Sequence, residues 1–156
     1  MERSCCFDTP AGPLTVTATG EAVTAVRFGA FGPACESVEE LPPVLRQAVE
    51  ELREYFAGTR RAFTLPLAPA GTPFQQEVWA ALREIPYGET RTYGQIAARI
   101  GRPKACRAVG MANNRNPIGI VVPCHRVVGA SGALVGYAAG LAVKESLLRL
   151  ERMNNG

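Results

Sequence analysis

Residues 92–114 read TYGQIAARIGRPKACRAVGMANN, and their punctuation decides how the chain is organised. Thr92 can cap a helix, Tyr93, Ile96, Ala97 and Ile100 recur on one side of it, and Gly101-Arg102 ends the run. Pro103 then opens a second helix, from Lys104 to about Asn114. Two short helices across a glycine turn, the second rich in Arg and Lys, have the form of a helix-turn-helix. A helical hairpin in an unrelated fold gives the same pattern. The second helix is small-sided, with Ala105, Cys106, Ala108, Val109, Gly110, Met111 and Ala112, so its backbone can approach another surface closely. That surface is a groove of DNA or another helix.

Working upstream, Thr72 and Pro73 form a cap and first turn, and Phe74, Val78, Trp79, Leu82 and Ile85 line one face of a helix stopped by Pro86-Tyr87-Gly88. Pro66, Pro69, Gly71 and Pro73 punctuate the chain before it, which puts a domain boundary near residue 70. The first part opens with β-type runs, Ser4 to Asp8, Leu14 to Thr19 and Ala22 to Phe28, separated by turn signals, and these predict an antiparallel meander. Pro43 to Phe56 carries a helical apolar period ended by Gly58, and Arg61 to Leu67 reads as extended. The expected architecture is α/β: residues 1–70 form a small antiparallel-sheet domain and residues 71–156 a helical one.

Charge follows the same division. Net charge is only +3, but residues 1–70 carry six basic and nine acidic groups, whereas residues 71–156 carry eleven basic and five acidic. From Arg91 to Lys144 no acidic residue occurs, and Arg91, Arg99, Arg102, Lys104, Arg107, Arg115, Arg126 and Lys144 are all cationic. A one-signed stretch suits a polyanion, although a merely solvated basic face has the same composition. No apolar run approaches the roughly 20 residues of a membrane span, and the first residues lack the pattern of a secretory signal. A cytoplasmic protein is expected. Five cysteines without framework spacing predict reduced thiols, and the single histidine, His125, argues against a metal site.

Downstream of the helix pair, Asn116-Pro117 precedes the apolar run Ile118 to Val122, readable as a buried strand or an extended segment, which delivers Pro123-Cys124-His125-Arg126. A thiolate is a strong nucleophile, but a cysteine with a pKa of about 8.5 is only a few per cent ionised near neutrality, so a nearby base matters. His125 is the only imidazole. Neighbours in an extended chain point to opposite faces, so His125 can serve Cys124 only if the backbone turns there or a water bridges them. Taken alone, the pair also fits a small buried thiol beside a surface histidine.

The pair is not alone. Pro123-Cys124-His125-Arg126-Val127-Val128, with Asn116-Pro117 before it and Gly136-Tyr137, Gly140-Leu141-Ala142-Val143-Lys144 and Leu147-Leu148 after it, resembles the methylated-DNA–protein-cysteine methyltransferases, or alkylguanine-DNA alkyltransferases. The resemblance runs from about Phe74 to Glu151 and includes Pro86-Tyr87-Gly88, Thr92-Tyr93 and Gln95-Ile96-Ala97. It implies a ribonuclease-H-like first domain, a winged-helix-type second domain, and DNA repair by irreversible transfer of an alkyl group from the exocyclic oxygen of guanine to Cys124. By the same resemblance His125 is the base, acting through a water, Glu151 orients the imidazole, Asn116 braces the active-site turn, and Tyr93 donates to the departing guanine. Arg107 enters the stack where the base is flipped out. Lys104, Arg102, Arg115 and Arg126 are expected on the DNA, and Val127, Tyr137 and Ala138 around the substrate. Ala138 has no hydroxyl, so any contact there comes from its backbone N–H. The implied partner is duplex DNA containing alkylated guanine, bound through the minor groove by a monomer without cofactor.

Two other functions carry different expectations. A Cys-His hydrolase would turn over through an acyl-enzyme, and the basic segment speaks against it. A DNA-lesion sensor without chemistry would lack the acceptor thiol, which Cys124 supplies.

Overall fold

The computed structural model describes residues 2–35 and 38–155. Its chain forms two compact units, Met1–Ala70 and Gly71–Gly156.

In the first unit β1 (Glu2–Thr9), β2 (Gly12–Thr19) and β3 (Ala22–Phe28) make an antiparallel sheet in sequential order, Cys5 opposite Val16 and Val16 opposite Val26. The expected meander forms, with its first two strands slightly longer than the apolar runs suggest. Gly12 and Gly20 take positive φ at the two hairpins, where an L side chain would be strained. Helix α1 (Pro43–Phe56) lies on this sheet, because Leu45, Ala48, Val49 and Leu52 recur at helical spacing opposite Leu14, Val16, Val23 and Val26. All eight are buried, and each contributes on the order of 1.5–3 kcal/mol relative to exposure, alanine less. Residues 61–67 form no strand of their own. They pair at one point, where Val23 N–H donates to Pro66 C=O at 2.8 Å and Ala68 N–H to Val23 C=O at 2.9 Å.

The cysteines differ from expectation. Cys5 and Cys35 are joined in a disulfide, their Cα atoms 5.2 Å apart, while Cys6, Cys106 and Cys124 are free thiols. The cause is tertiary. The segment carrying Cys35 runs beside β1, with Cys6 N–H donating to Pro33 C=O at 2.7 Å and Cys35 N–H to Cys6 C=O at 2.9 Å. A separation of 30 residues leaves no spacing signature to read.

The second unit contains α2 (Pro73–Leu82), β4 (Arg91–Thr92), α3 (Tyr93–Arg99), α4 (Cys106–Asn114), β5 (Val127–Val128) and α5 (Leu141–Met153). Helices α2 and α3 both start in a capping box: Thr72 and Thr92 accept from the N–H groups of Gln75 and Gln95, whose side chains accept in return. Helix α2 ends at Leu82, short of the expected Ile85, in a tighter turn through Ile85. Gly101, at φ +76°, makes the turn between α3 and α4. The latter begins at Cys106 rather than Lys104. Trp79 ties α2 to α4, its indole N–H donating to Ala112 C=O at 2.9 Å. Strands β4 and β5 pair in parallel, Arg91 with Val127 and Thr92 with Val128, so the start of α3 is fixed beside the end of the Cys124 turn. No helix among the described residues is long and apolar enough to cross a membrane.

Candidate active site

The site is built in the second unit by the chain that leaves α4. Asn116 folds over the following loop: its Nδ2 donates to Ile118 C=O at 3.2 Å and Val122 C=O at 2.9 Å, and its Oδ1 accepts from Ile118 N–H at 3.0 Å. The loop is buried and turns rather than extends. Ile120 sits at φ +68°, a left-handed conformation that is costly for a β-branched residue and that the asparagine clamp and surrounding core hold in place. The apolar run 118–122 is therefore not a strand.

Pro123 leads into a single 3-10 turn, Cys124–Arg126. The turn removes the difficulty posed by an extended Cys-His pair, since consecutive side chains no longer point to opposite faces. Asn113, buried at the end of α4, donates to Cys124 C=O at 3.3 Å and fixes the turn from that side.

Glu151 lies on α5, on the same face as Lys144, Leu147 and Leu148, and meets this turn in the core. His125 Nε2 is 2.5 Å from Glu151 Oε2, and both residues are 0% exposed. His125 Nδ1 is buried and has no hydrogen-bond partner among the described residues. Burial pushes the His125 pKa down, only partly countered by Glu151, with Arg126 and Lys144 adding to the depression. For Glu151 burial acts upward, but His125 and Arg126 outweigh it and hold the carboxyl at about 2. With the imidazole uncharged, an N–H on Nε2 would face the carboxylate and Nδ1 would be left to accept a proton.

Cys124 is buried, which raises its pKa, while Asn116, Tyr137 and the Lys144 ammonium favour the thiolate. Tyr137 is itself raised by burial and by proximity to Cys124. Tyr93, the first residue of α3, is half-buried and donates its hydroxyl to Val135 C=O at 3.0 Å; burial and then Cys124 raise its pKa. Lys144 Nζ donates to the same carbonyl at 2.9 Å. The segment carrying Val135 and Tyr137 is thus tied to α3 and α5 beside the thiol. Val127 is fully buried and Ala138 exposed.

The cations divide. Lys104, Arg107 and Arg115 are exposed on and beside α4 and enter no salt bridge among the described residues. Arg102 is exposed but pairs with Glu77 at 3.2 Å and covers the Phe74 ring. Arg126, also expected on the DNA, differs from these in its surroundings. It is only 6% exposed, and its Nε and Nη2 donate to Glu151 at 2.8 and 3.1 Å while Nη1 donates to Ile85 C=O at 2.8 Å. All three guanidinium nitrogens thus have partners within the second unit. Position within a basic run cannot separate it from its exposed neighbours, because the 3-10 turn directs it inward.

Sequence reasoning also passed over Lys144 and Asn113. Lys144 did carry a signal: it lies three and four residues before Leu147 and Leu148 and seven before Glu151, so two charged residues share an apolar helix face. Asn113 carried none beyond its type.

Two family models match the chain: the 6-O-methylguanine DNA methyltransferase DNA binding domain over residues 73–153, and the ribonuclease-like domain of the same proteins over residues 5–69. The methylated-DNA–protein-cysteine methyltransferase of Methanosarcina acetivorans is 54% identical over 148 residues, spanning 93% of this chain and 95% of that protein. The crystal structure of the Mycobacterium tuberculosis O6-methylguanine methyltransferase superimposes with a TM-score of 0.87 at 45% identity, covering 99% of this chain and 94% of the other. That of M. tuberculosis OGT in complex with DNA gives 0.86 at 47% identity, covering 97% and 93%.

Proposed function

Since the chain belongs to the methylated-DNA–protein-cysteine methyltransferases, which repair DNA by moving an alkyl group irreversibly from guanine to their own cysteine, we propose that its acceptor is Cys124. The observation that carries this assignment is the buried thiol on a 3-10 turn whose next residue, His125, is backed by Glu151 at 2.5 Å with Nδ1 unpartnered.

In this reading His125 Nδ1 takes the Cys124 proton through a water, and the sulfur attacks the alkyl carbon. One S–C bond forms, the bond from that carbon to the guanine oxygen breaks, and the guanine leaves with the electron pair. Tyr93 supplies a hydrogen bond or proton to it, having exchanged its contact with Val135 for the base. Glu151 stabilises the imidazolium that forms. Asn116 holds the loop so that the turn cannot relax, and Val127, Tyr137 and Ala138 surround the base, Ala138 through its backbone. The product is a thioether, which has no carbonyl for water to attack, so each molecule acts once.

The target carbon of a duplex is inside the stack, so the nucleotide is flipped out. Arg107 on α4 fills the space left behind, with Lys104, Arg102 and Arg115 on the backbone flanking the minor groove. Residues 1–70 form an amino-terminal domain and residues 71–156 the alkyltransferase domain of a cytoplasmic monomer.

The deciding experiment is intact-protein mass spectrometry with peptide mapping after incubation with duplex DNA carrying one methylated guanine. We expect a gain of one methylene, confined to Cys124, ceasing at one equivalent and absent in Cys124→Ser. Lesions consumed without a change in protein mass would point to a turning-over enzyme, and a methyl group on another residue would remove Cys124 from the acceptor role.

A further inference from the structure

Glu151 has more partners than an orienting carboxylate needs. Its Oε2 faces both His125 Nε2 at 2.5 Å and Arg126 Nη2 at 3.1 Å, and its Oε1 accepts from Arg126 Nε at 2.8 Å and Gly88 N–H at 3.1 Å. The guanidinium is in turn anchored by Ile85 C=O at 2.8 Å and lies 5.7 Å from the centre of the Tyr87 ring. A planar fork meeting a carboxylate on two donors fixes the rotation of both groups, which an ammonium could not do.

Charge gives this arrangement a consequence for the base. A buried imidazole beside an uncompensated carboxylate is drawn toward imidazolium, because the ionised pair is the better-compensated state. An imidazolium cannot accept the proton of a thiol. Resting on the assignment of Cys124, His125 and Glu151 as the reacting set, we propose that Arg126 is a positioning residue: it balances and orients Glu151 so that His125 stays neutral, with N–H on Nε2 and Nδ1 open.

The other groups around His125 are consistent with this. Helix α5 contributes Glu151 and the buried Lys144, the turn contributes the Cys124 thiol and Arg126, and Tyr87 and Tyr137 face Arg126 and the thiol. Burial is the largest influence holding His125 down; Glu151 opposes it, and Arg126 precedes Lys144 among the charges that assist it. In the transfer the proton moves from Cys124 to His125, leaving a thiolate and an imidazolium, and once the sulfur has become a thioether the imidazolium charge remains, facing Glu151 at short range. Arg126 therefore delays protonation in the resting protein without removing the carboxylate that the imidazolium needs.

The chain has one histidine, so nitrogen-15 labelling of histidine yields a single imidazole to follow through a pH titration. In the unaltered protein we expect the neutral Nε2–H tautomer at pH 7. In Arg126→Met the midpoint should rise by about one pH unit or more, and transfer from a methylated duplex at pH 7 should fall by roughly tenfold, recovering as pH is raised, with duplex affinity unchanged. Arg126→Lys, which keeps the charge but not the fork, should keep the midpoint near its original value and still react slowly. An imidazolium or an Nδ1–H tautomer in the unaltered protein at pH 7 would overturn the proposal, and that spectrum decides the matter even if Arg126→Met does not fold. Unshifted titration in a folded Arg126→Met protein would also overturn it, and loss of duplex affinity with that result would return Arg126 to the DNA surface. The underlying assignment fails differently: His125→Ala would then transfer the alkyl group at the original rate.

Discussion

At the scale of single residues, the cations of one basic run have separate fates. Arg126 turns inward to Glu151, whereas Arg107 stays exposed on α4. The distinction supports a test of Arg107 that depends on the state of the substrate. If Arg107 fills the gap left by a flipped base, Arg107→Ala should weaken repair of duplex DNA by roughly the few kcal/mol that unstacking costs, while reaction with free alkylated guanine stays near normal. Single-turnover rates on the two substrates check this, and equal loss on both would remove the assignment. Cys124 and His125 were legible in the sequence as a candidate nucleophile beside the only imidazole. That a turn joins them was one of two arrangements the sequence left open, and its 3-10 form, held by Asn113 and Asn116 bonding to backbone carbonyls, was not legible.

Among the elements, α2 and α3 start in capping boxes, whereas α1, α4 and α5 begin without a side-chain cap. Thr92 closes a capping box with Gln95 at the first turn of α3, the turn that holds Tyr93, and β4 ties that turn to β5. Thr92→Ala should therefore cost about 1 kcal/mol of stability, seen as a lower urea midpoint with unchanged slope. Its effect on transfer should exceed that of Thr72→Ala, which removes the equivalent cap from α2, a helix that does not carry Tyr93. Equal effects of the two caps on transfer rate would show that α3 is not held by its own start. The apolar run 118–122 was the element least legible. Its residue types suit a strand, but Asn116 accepts and donates within the loop and Ile120 takes a left-handed conformation, so burial is achieved by turns.

For the molecule as a whole, the buried charges set how stability responds to acid. His125 is depressed below its ordinary 6.5, so its neutral folded form favours folding fully above that value. As pH falls below it, the unfolded chain binds a proton that the folded chain refuses, and stability declines. Glu151 is held at about 2 against an ordinary 4.5, so its contribution is complete above 4.5 and is lost as pH falls toward 2. Urea unfolding as a function of pH should thus weaken in two stages, the first beginning below pH 6.5 and the second between 4.5 and 2. A stability that is flat from pH 7 to 5 would contradict a buried neutral His125.

What the sequence determined by itself was the local order of the chain: the three-strand meander, α1, the capped helices α2 and α3, the glycine turn before α4, and a motif specific enough to name the family. These follow from periodicity, caps and turns, which act over a few residues. Only the tertiary structure decided that Glu151 reaches His125 across 26 positions, that Arg126 leaves the basic surface to hold that glutamate, and that Cys35 returns to Cys5. Each depends on which distant segments share a core, where a buried charge must find a partner or remain neutral, and that requirement has no fixed spacing along the chain.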